Sequence, residues 1–474
     1  MPPTRPVTVA LWGAGARGEL NLATLAKRHP DRLRFAAVAE PQNDRREHFA
    51  RLFHIEKANT FSDWREMLAR PRLAEAVINA LPCRMHFEST MAGLDAGYHF
   101  LLEKPMALTP GQCVGLTRAA ASRGLVLMIA LQSRYNRIYS RMRDLFDRGR
   151  VGRLMSIDCA ENIGYWHFIL SYVRGIHYHS RLSHSFVLAK GVHDLDLVTW
   201  FAGAPARKVS SFGSLAFFKE ENAPPGAPER CLDGCPVFDT CAFNAYKQFV
   251  DPGRPQLPWS LIAGSSWEAY RDCLANPRFR TLASVIVHDI SRENRLRALR
   301  ETHNGRCVFR SDNNVVDHQT VSIEYENGVT ASFLLNGFSL LWERTLNLHG
   351  TEGEMRSADF SGRLETRTYH PARVKRERIP YHGIIHGGGD EVILLRLAEA
   401  VRDGKPAAAV GDGKPAAAVG DRKPAEALAS ARNCLESHLI CFAAEEARLS
   451  GQVVDMADFR RRAEADADPG NPDS

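Results

Sequence analysis

Through the first 130 residues or so, short apolar runs alternate with segments whose apolar positions recur at helical spacing, the pattern of parallel β-α-β units. The runs Val7 to Leu11, Phe35 to Ala39, Ala76 to Ala80, Tyr98 to Leu102 and Val126 to Ala130 predict strands. Between them, Arg17 to Arg28, Asp44 to Phe53, His86 to Ala96 and Pro110 to Arg123 predict helices, each long enough to cross a sheet face and return. The fold class expected for residues 1–150 is therefore α/β, a doubly wound parallel sheet. After residue 150 the rhythm changes. Leu154 to Cys159, Val209 to Phe217, Val321 to Tyr325 and Val329 to Leu335 predict strands with little helix between them, and Asn327-Gly328 is a strong hairpin signal. A second, α+β domain with a large, mostly antiparallel sheet is expected over residues 151–463. Helices are expected after Gly191 and, within an insertion at 219–300, around Trp267 to Leu274 and Asn294 to Arg300.

Other stretches carry little periodicity. Residues 219–260 are rich in Pro, Cys and Gly and read as an elaborated loop. The nine residues from Asp403 to Gly411 recur at 412–420 and decay at 421–429, a period too short for a solenoid, so they read as a duplicated surface loop. A closing helix is expected from Ala425 to Leu449. Residues 464–474, acidic and proline-containing, are expected to form a disordered tail.

Composition narrows the class without changing this outline. The 474 residues are 44% hydrophobic and 24% charged, enough apolar material for extended cores. Sixty-one Lys and Arg against fifty-five Asp and Glu leave a net charge of +6, which argues against a nucleic-acid partner. Ten cysteines are too few for a disulfide scaffold, and Met1 to Pro6 lack the pattern of a signal peptide, so a cytoplasmic location is expected. No apolar run approaches the ~18 residues of a membrane span, so no membrane association is expected.

Gly13-Ala14-Gly15-Ala16-Arg17-Gly18 follows the first strand and opens the first helix. In that context the first glycine permits a tight turn, the second admits a pyrophosphate, and the third allows close helix–strand packing. The helix N-terminus adds unpaired N–H groups. Glu40 ends the second predicted strand, 22 residues after Gly18, where a carboxylate would bind adenine-ribose hydroxyls and repel a 2′-phosphate. NAD is the expected cofactor, although Arg17, Arg45 and Arg46 leave room for NADP. Glu103-Lys104-Pro105 follows the fifth strand, at the carboxyl edge where ligands bind in such sheets. A buried lysine there can deprotonate or polarise a substrate hydroxyl.

The glycine motif, Glu40, the turn from Leu81-Pro82 to His86 and Glu103-Lys104-Pro105 together resemble the Gfo/Idh/MocA oxidoreductases, named for glucose-fructose oxidoreductase and inositol dehydrogenase. The resemblance continues through Arg134-Tyr135, Gly149 to Gly152, Gly191-Val-His193-Asp-Leu-Asp196 and Gly350-Thr-Glu-Gly353, over roughly residues 5–460. It implies an N-terminal Rossmann domain, with Gly13 to Gly18, Glu40, Leu81, Pro82, His86, Glu103, Lys104 and Arg134 at the cofactor. It further implies that Lys104 lies near the nicotinamide and that His193 is the acid/base on a sugar hydroxyl. His193 and Asp196 are spaced i, i+3, so a carboxylate beside the imidazole is expected to orient it.

One departure stands out. Many sugar dehydrogenases of the family place an aspartate four residues before the histidine; here that residue is Ala189, followed by Lys190, which could donate to substrate or pair with a neighbouring carboxylate. Ahead of the helix, Glu161, His167, Tyr172, Arg174, His177, His179 and His184 concentrate polar groups suited to a polyhydroxylated or anionic substrate, with His167, Tyr172 and Arg174 singled out. His386-Gly-Gly-Gly-Asp390 precedes a helix over Glu391 to Val401, with Asp390 as its expected N-cap and His386 reaching toward substrate. Cys231, Cys235 and Cys241 are closely spaced thiols that suggest a structural zinc whose fourth ligand the sequence does not identify.

The expected activity is NAD-dependent hydride transfer at a carbinol carbon of a sugar or polyol, by a homo-oligomeric enzyme. A redox-cycling glycosidase, which oxidises, eliminates, hydrates and reduces on one bound NAD, is the alternative. A non-catalytic NAD-binding regulator is a third reading, disfavoured by the presence of both Lys104 and His193.

Overall fold

A computed structural model describes residues 5–251, 282–381, 386–404 and 429–467. The expected Trp267 to Leu274 helix, most of the nine-residue repeat and residues 468–474 lie outside the described residues.

The first domain is a six-stranded parallel sheet of β1 (Val7–Trp12), β2 (Leu33–Ala39), β3 (Thr60–Phe61), β4 (Ala76–Asn79), β5 (His99–Leu102) and β6 (Leu127–Ile129), in the order β3-β2-β1-β4-β5-β6. Helices cover both faces, which is why these strands read as unbroken apolar runs: Val9, Ala10, Leu11 and Trp12 are all fully buried. The first helix is π-wound over Ala16–Ala23 and continues as Thr24–Ala26, slightly earlier than expected. Asn43–Phe53, His86–Asp95 and Pro110–Ser122 match the remaining predicted helices, the last with Pro110 at its first turn and a Thr109 cap on Gln112 N. Strand order reverses between β1 and β4, so their carboxyl ends open the crevice in which such sheets bind ligands.

The second sheet comprises β7 (Leu154–Gly164), β8 (Ala206–Ser214), β9 (His318–Tyr325), β10 (Thr330–Ser339), β11 (Glu343–Gly350), β12 (Gly353–Ala358), β13 (Arg363–Thr368), β14 (Arg373–Arg378) and β15 (Val454–Asp455). Their order is β14-β13-β12-β11-β7-β10-β9-β8-β15, and every described pairing is antiparallel except β7 with β10. The predicted hairpin joins β9 to β10, with Gly328 at φ +83°. Strands β11 to β14 were not expected. Their apolar alternation is broken by Arg344 on the buried side of β11 and vanishes in β14, a wholly polar edge apart from Val374.

Three C-terminal helices return to the first domain, so the division at residue 150 separates sheets rather than all packing units. Gly389–Arg402 is tied to it by Arg17–Asp390, His29–Glu391 and Arg32–Glu399 contacts. Ala431–Ser450 begins at a Ser430 cap, beside Ile129 N donating to Ala429 O, and His438 Nε2 accepts from Met106 N. The start of the expected disordered tail is corrected, because residues 464 and 465 close a helix. A helix over Met456–Ala465 is capped by Asp455, buries Phe459 and Ala463, and lies close enough to the Pro110–Ser122 helix that a side chain at Gly111 would meet Asp466. Among the described residues, no helix is long and apolar enough to cross a membrane.

Candidate active site

The carboxyl edge of the first sheet is built around the β1 turn. Gly13 has φ +87°, and a Cβ there would lie 2.7 Å from Ala80 O of the β4 edge; a Cβ at Gly18 would overlap the Gly13 carbonyl. At Gly15 the space is open, with Arg45 Nη1 at 3.7 Å as its one near neighbour. A turn forced by its first glycine, packed by its third and open at its second fits a dinucleotide pyrophosphate. Glu40, 4% exposed, closes the loop: Ala14 N donates to Oε2 at 2.8 Å and Gln42 N to Oε1 at 3.0 Å. Two backbone donors hold the carboxylate in place and leave acceptor capacity for ribose hydroxyls. Arg46 is turned back onto Glu40 O and Asn43 Oδ1.

Past β5, Lys104 is half-buried and donates to Ala189 O at 2.6 Å. Burial, reinforced by the nearby Lys190 and Arg17 charges and opposed by Cys83 and Glu103, brings its ammonium down to about 8. The preceding Glu103 starts a chain of charge-assisted bonds. Arg17 Nε lies 2.6 Å from Glu103, Arg17 Nη2 lies 2.6 Å from Asp390, and Asp390 Oδ2 lies 2.9 Å from His386 Nδ1. Arg17 is thus a strut between the two carboxylates, with Nη1 buried and unpartnered toward the remaining space. Asp390 is not the N-cap. Gly388, in the left-handed region, occupies that position, and the Asp390 carboxylate, held well below the usual range beside Arg17 and His386, is committed to them. His386 itself sits at φ +58°, an uncommon conformation for a side-chain-bearing residue, and its ring faces His193 at 5.8 Å.

His193 lies on Val192–Ala202, the helix that follows a π-wound turn over Val187–Gly191. Its Nδ1 is buried without a hydrogen-bond partner. Burial, with Lys104, His386 and Lys190 close by, holds its imidazole neutral, well below the ordinary histidine range. His167 and His177 are depressed in the same way, His177 to about 3. His167 stacks on Trp342 at 4.6 Å and His177 on Tyr172 at 5.5 Å.

Lys190 lies over the Trp342 ring at 4.1 Å and pairs with Glu161 at 3.1 Å. Behind it Arg344 binds Glu161, Asp194 and Asp359 together, all buried. Burial pushes Asp359 up to about 6 and raises Asp194, whereas Arg344 and Lys190 keep Glu161 low. Arg344, Asp359 and Trp342 carry no local motif, and Asp194, although inside the His193 motif, was given no role of its own. A charged residue at an inward strand position, as at Arg344, was the one signal available.

Several expected roles change. Asp196 does not orient His193: Arg134 holds both its oxygens, at 2.6 and 2.7 Å, and Ser437 Oγ lies at 3.3 Å. Arg134, expected at the cofactor, is committed to that buried pair and to Asn433 O. His86 faces two backbone carbonyls, Pro105 O at 2.7 Å and Leu81 O at 2.9 Å, and so pins the Leu81-Pro82 turn to the Lys104 turn instead of reaching a ligand. Arg174 points away from Lys104 and toward Arg306 O and Cys231 Sγ. His179 caps the Ser180–Ser183 turn, and His184 packs on Phe442. Tyr172 is buried within the aromatic layer of Phe168, Phe186 and His177. A cavity of about 510 Å³ lies elsewhere, on the outer face of the second sheet between Asp158, Lys208 and Ser322.

Residues 7–131 match the GFO_IDH_MocA model, an oxidoreductase family with an NAD-binding Rossmann fold. Inositol 2-dehydrogenase of Streptomyces avermitilis is 31% identical over 157 residues, 32% of this chain and 43% of the relative. D-xylose 1-dehydrogenase (NADP(+)) of Hypocrea jecorina is 31% identical over 152 residues, 30% of this chain and 39% of the relative. The chain YteT of Bacillus subtilis is 22% identical over 316 residues, 62% of this chain and 65% of YteT, so the match spans less than two thirds of each of these relatives. Among solved structures, levoglucosan dehydrogenase in complex with NADH and levoglucosan superposes with a TM-score of 0.65 at 17% identity, covering 95% of this chain and 99% of the other. Scyllo-inositol dehydrogenase from Lactobacillus casei, with NAD(H) and scyllo-inositol, gives 0.60 at 14% identity, covering 96% and 100%.

Proposed function

We propose that this chain, whose residues 7–131 carry the NAD-binding Rossmann domain of the Gfo/Idh/MocA oxidoreductases, oxidises a secondary hydroxyl of a sugar or polyol. The observation that carries the reading is a half-buried lysine, lowered to about 8, near a neutral histidine whose Nδ1 is unpartnered, both beyond the open glycine turn. When bound, a nicotinamide dinucleotide supplies the carbon that accepts the hydride. The amides around Gly15 would hold its pyrophosphate, and Glu40 its ribose hydroxyls.

The chain's own groups do the rest. Lys104 and His193 can each hold the proton that leaves a substrate hydroxyl, because each is near neutrality or already neutral at physiological pH. The Glu103–Arg17–Asp390 chain fixes His386 beside them. The carboxylates nearby, Glu103, Asp390, Glu161 and Asp194, are all engaged by Arg or Lys, so the site offers donors and neutral imidazoles. Such a lining suits a polyhydroxylated substrate. Lys190, engaged with Glu161 and Trp342, supports the lining rather than standing free as a second acid. The named relatives act on substrates of this class, inositol and D-xylose. Homo-oligomer formation is part of the same proposal, through the outer sheet face on which Phe212 and Leu334 are exposed.

His193→Ala and Lys104→Ala are each expected to lower turnover about 10²-fold or more, the usual worth of positioned proton transfer. Calorimetry should find NAD binding largely intact in the His193 variant. Near-wild-type turnover by that variant, on a verified substrate, would remove the acid/base assignment.

A further inference from the structure

The cysteine-rich insertion folds back on itself. An isolated antiparallel bridge between Arg230 and Arg306 sets Cys231 beside Cys307: Cys231 N donates to Gly305 O at 3.1 Å and Cys307 N to Glu229 O at 2.8 Å. Consecutive turns return the intervening chain, with Cys241 N donating to Val237 O at 2.9 Å and Asn244 Nδ2 to Phe238 O at 2.7 Å. Cys231, Cys235, Cys241 and Cys307 consequently line one cavity of about 20 Å³. Cys307 lies 66 residues beyond Cys241, so spacing alone gave no hint of it. All four thiols are free.

The second observation is the cation beside them. Arg174 is 1% exposed, and Nη2 lies 3.2 Å from Cys231 Sγ, with Arg306 O at 2.7 Å and Gln248 Oε1 at 3.5 Å as its other partners. No carboxylate pairs with it among the described residues. A buried guanidinium without a counter-ion is costly.

We infer that Cys231, Cys235, Cys241 and Cys307 form a structural site for a single thiophilic divalent ion, zinc, with Arg174 as its charge-balancing neighbour. On binding, four thiols release four protons to solvent and four thiolates ligate the ion, giving a centre of net charge −2 that the guanidinium partly neutralises. Four sulfurs select a soft or borderline metal. Among the described residues, the group of metal-capable side chains whose ligand atoms all lie within 4.8 Å is a different one, Glu19, His48 and His288. The thiols thus stand open, and zinc would draw them in by side-chain rotation to about 2.3 Å.

The consequence reaches the candidate active site. Cys231 belongs to a small apolar core with Leu170, Phe249 and Leu299, against which Trp166 packs. Arg174 ends the π-wound turn Ile169–Val173, next to His167 and Tyr172. The ion would clamp the segment that carries these aromatic groups.

The full chain, purified in reductant without added metal, should contain about one zinc per chain by elemental analysis. Cobalt substituted for zinc should give the intense sulfur-to-cobalt absorption of a tetrathiolate. Cys307→Ser and Cys235→Ser should abolish that absorption, while His48→Ala retains it. Arg174→Gln should weaken zinc about 10- to 100-fold in chelator competition, the usual effect of losing a group that supports a ligand. Should a cysteine variant fail to fold, the cobalt spectrum and thiol reactivity of the wild-type chain decide the matter. Metal-free protein with four freely reactive thiols, metal that persists unchanged in Cys307→Ser, or a disulfide among the four would each overturn the site.

Discussion

Lys104 is half-buried, yet among the described residues its ammonium finds one backbone carbonyl and no carboxylate at hydrogen-bonding distance. Two further cations, Lys190 and Arg17, stand near enough to repel it. Losing the proton relieves both the desolvation and the repulsion, which is why it is depressed to about 8. In the oxidative direction the neutral amine is the acceptor, so kcat/KM at saturating NAD should rise with pH through a limb near 8. His193, His167 and His177 are already neutral well below that range and should add no limb between about 6 and 8. Lys104→Arg, whose charge cannot be removed in this range, should lose the limb; a limb unchanged in that variant would assign it elsewhere. Lys104 and His193 were legible because local motifs place them. The fate of Asp196 was not: helical spacing identifies neighbours on one helix, but Arg134, 62 residues away, wins both carboxylate oxygens. Arg174 departs from expectation for the same reason, since its partners Cys231, within the insertion, and Arg306, just beyond it, are distant in sequence.

Elements were legible where burial is symmetrical. β1, β2, β4 and β5 are covered on both faces and read as continuous apolar runs, and the hairpin at Asn327-Gly328 announces its own turn. β11 escaped notice because Arg344 replaces an apolar residue on its inward side to serve the Glu161, Asp194 and Asp359 carboxylates. The π-wound turns at Ala16–Ala23 and Val187–Gly191 have no sequence signature of their own, and both lie beside the site, as such turns often do. In the proposed function, the β1 turn and the β2 end together would set cofactor choice. Glu40 is fixed by Ala14 N and Gln42 N with its charge toward the loop, so NAD should bind more tightly than NADP in calorimetric titration. Glu40→Ala should weaken NAD by about 1 to 3 kcal/mol through lost charge-assisted bonds and narrow the difference from NADP. Tighter binding of NADP to the wild-type chain would reverse the assignment; Arg45, beside Gly15, is the group that would explain it.

At the scale of the whole molecule, the second sheet and its helices bring His193, His167 and Lys190 over the carboxyl edge of the first sheet, and the helix Gly389–Arg402 returns to lock Asp390 onto Arg17. The two-sheet outline followed from hydrophobic rhythm. The return of the C-terminal helices did not, because their partners are set by tertiary packing on β6 and on the turn after β5. The proposed function makes one chemical commitment that no single residue makes: the hydride that leaves the substrate would remain on the dinucleotide. The most direct test is a panel of sugars, polyols and glycosides in which NADH absorbance and product mass are measured on the same samples. The account predicts an oxidised product, two hydrogens lighter than its substrate, formed in step with one NADH each. Cleavage of a glycoside over many turnovers at catalytic NAD, with no lasting NADH and no oxidised product, would contradict it and establish a redox-cycling glycosidase instead.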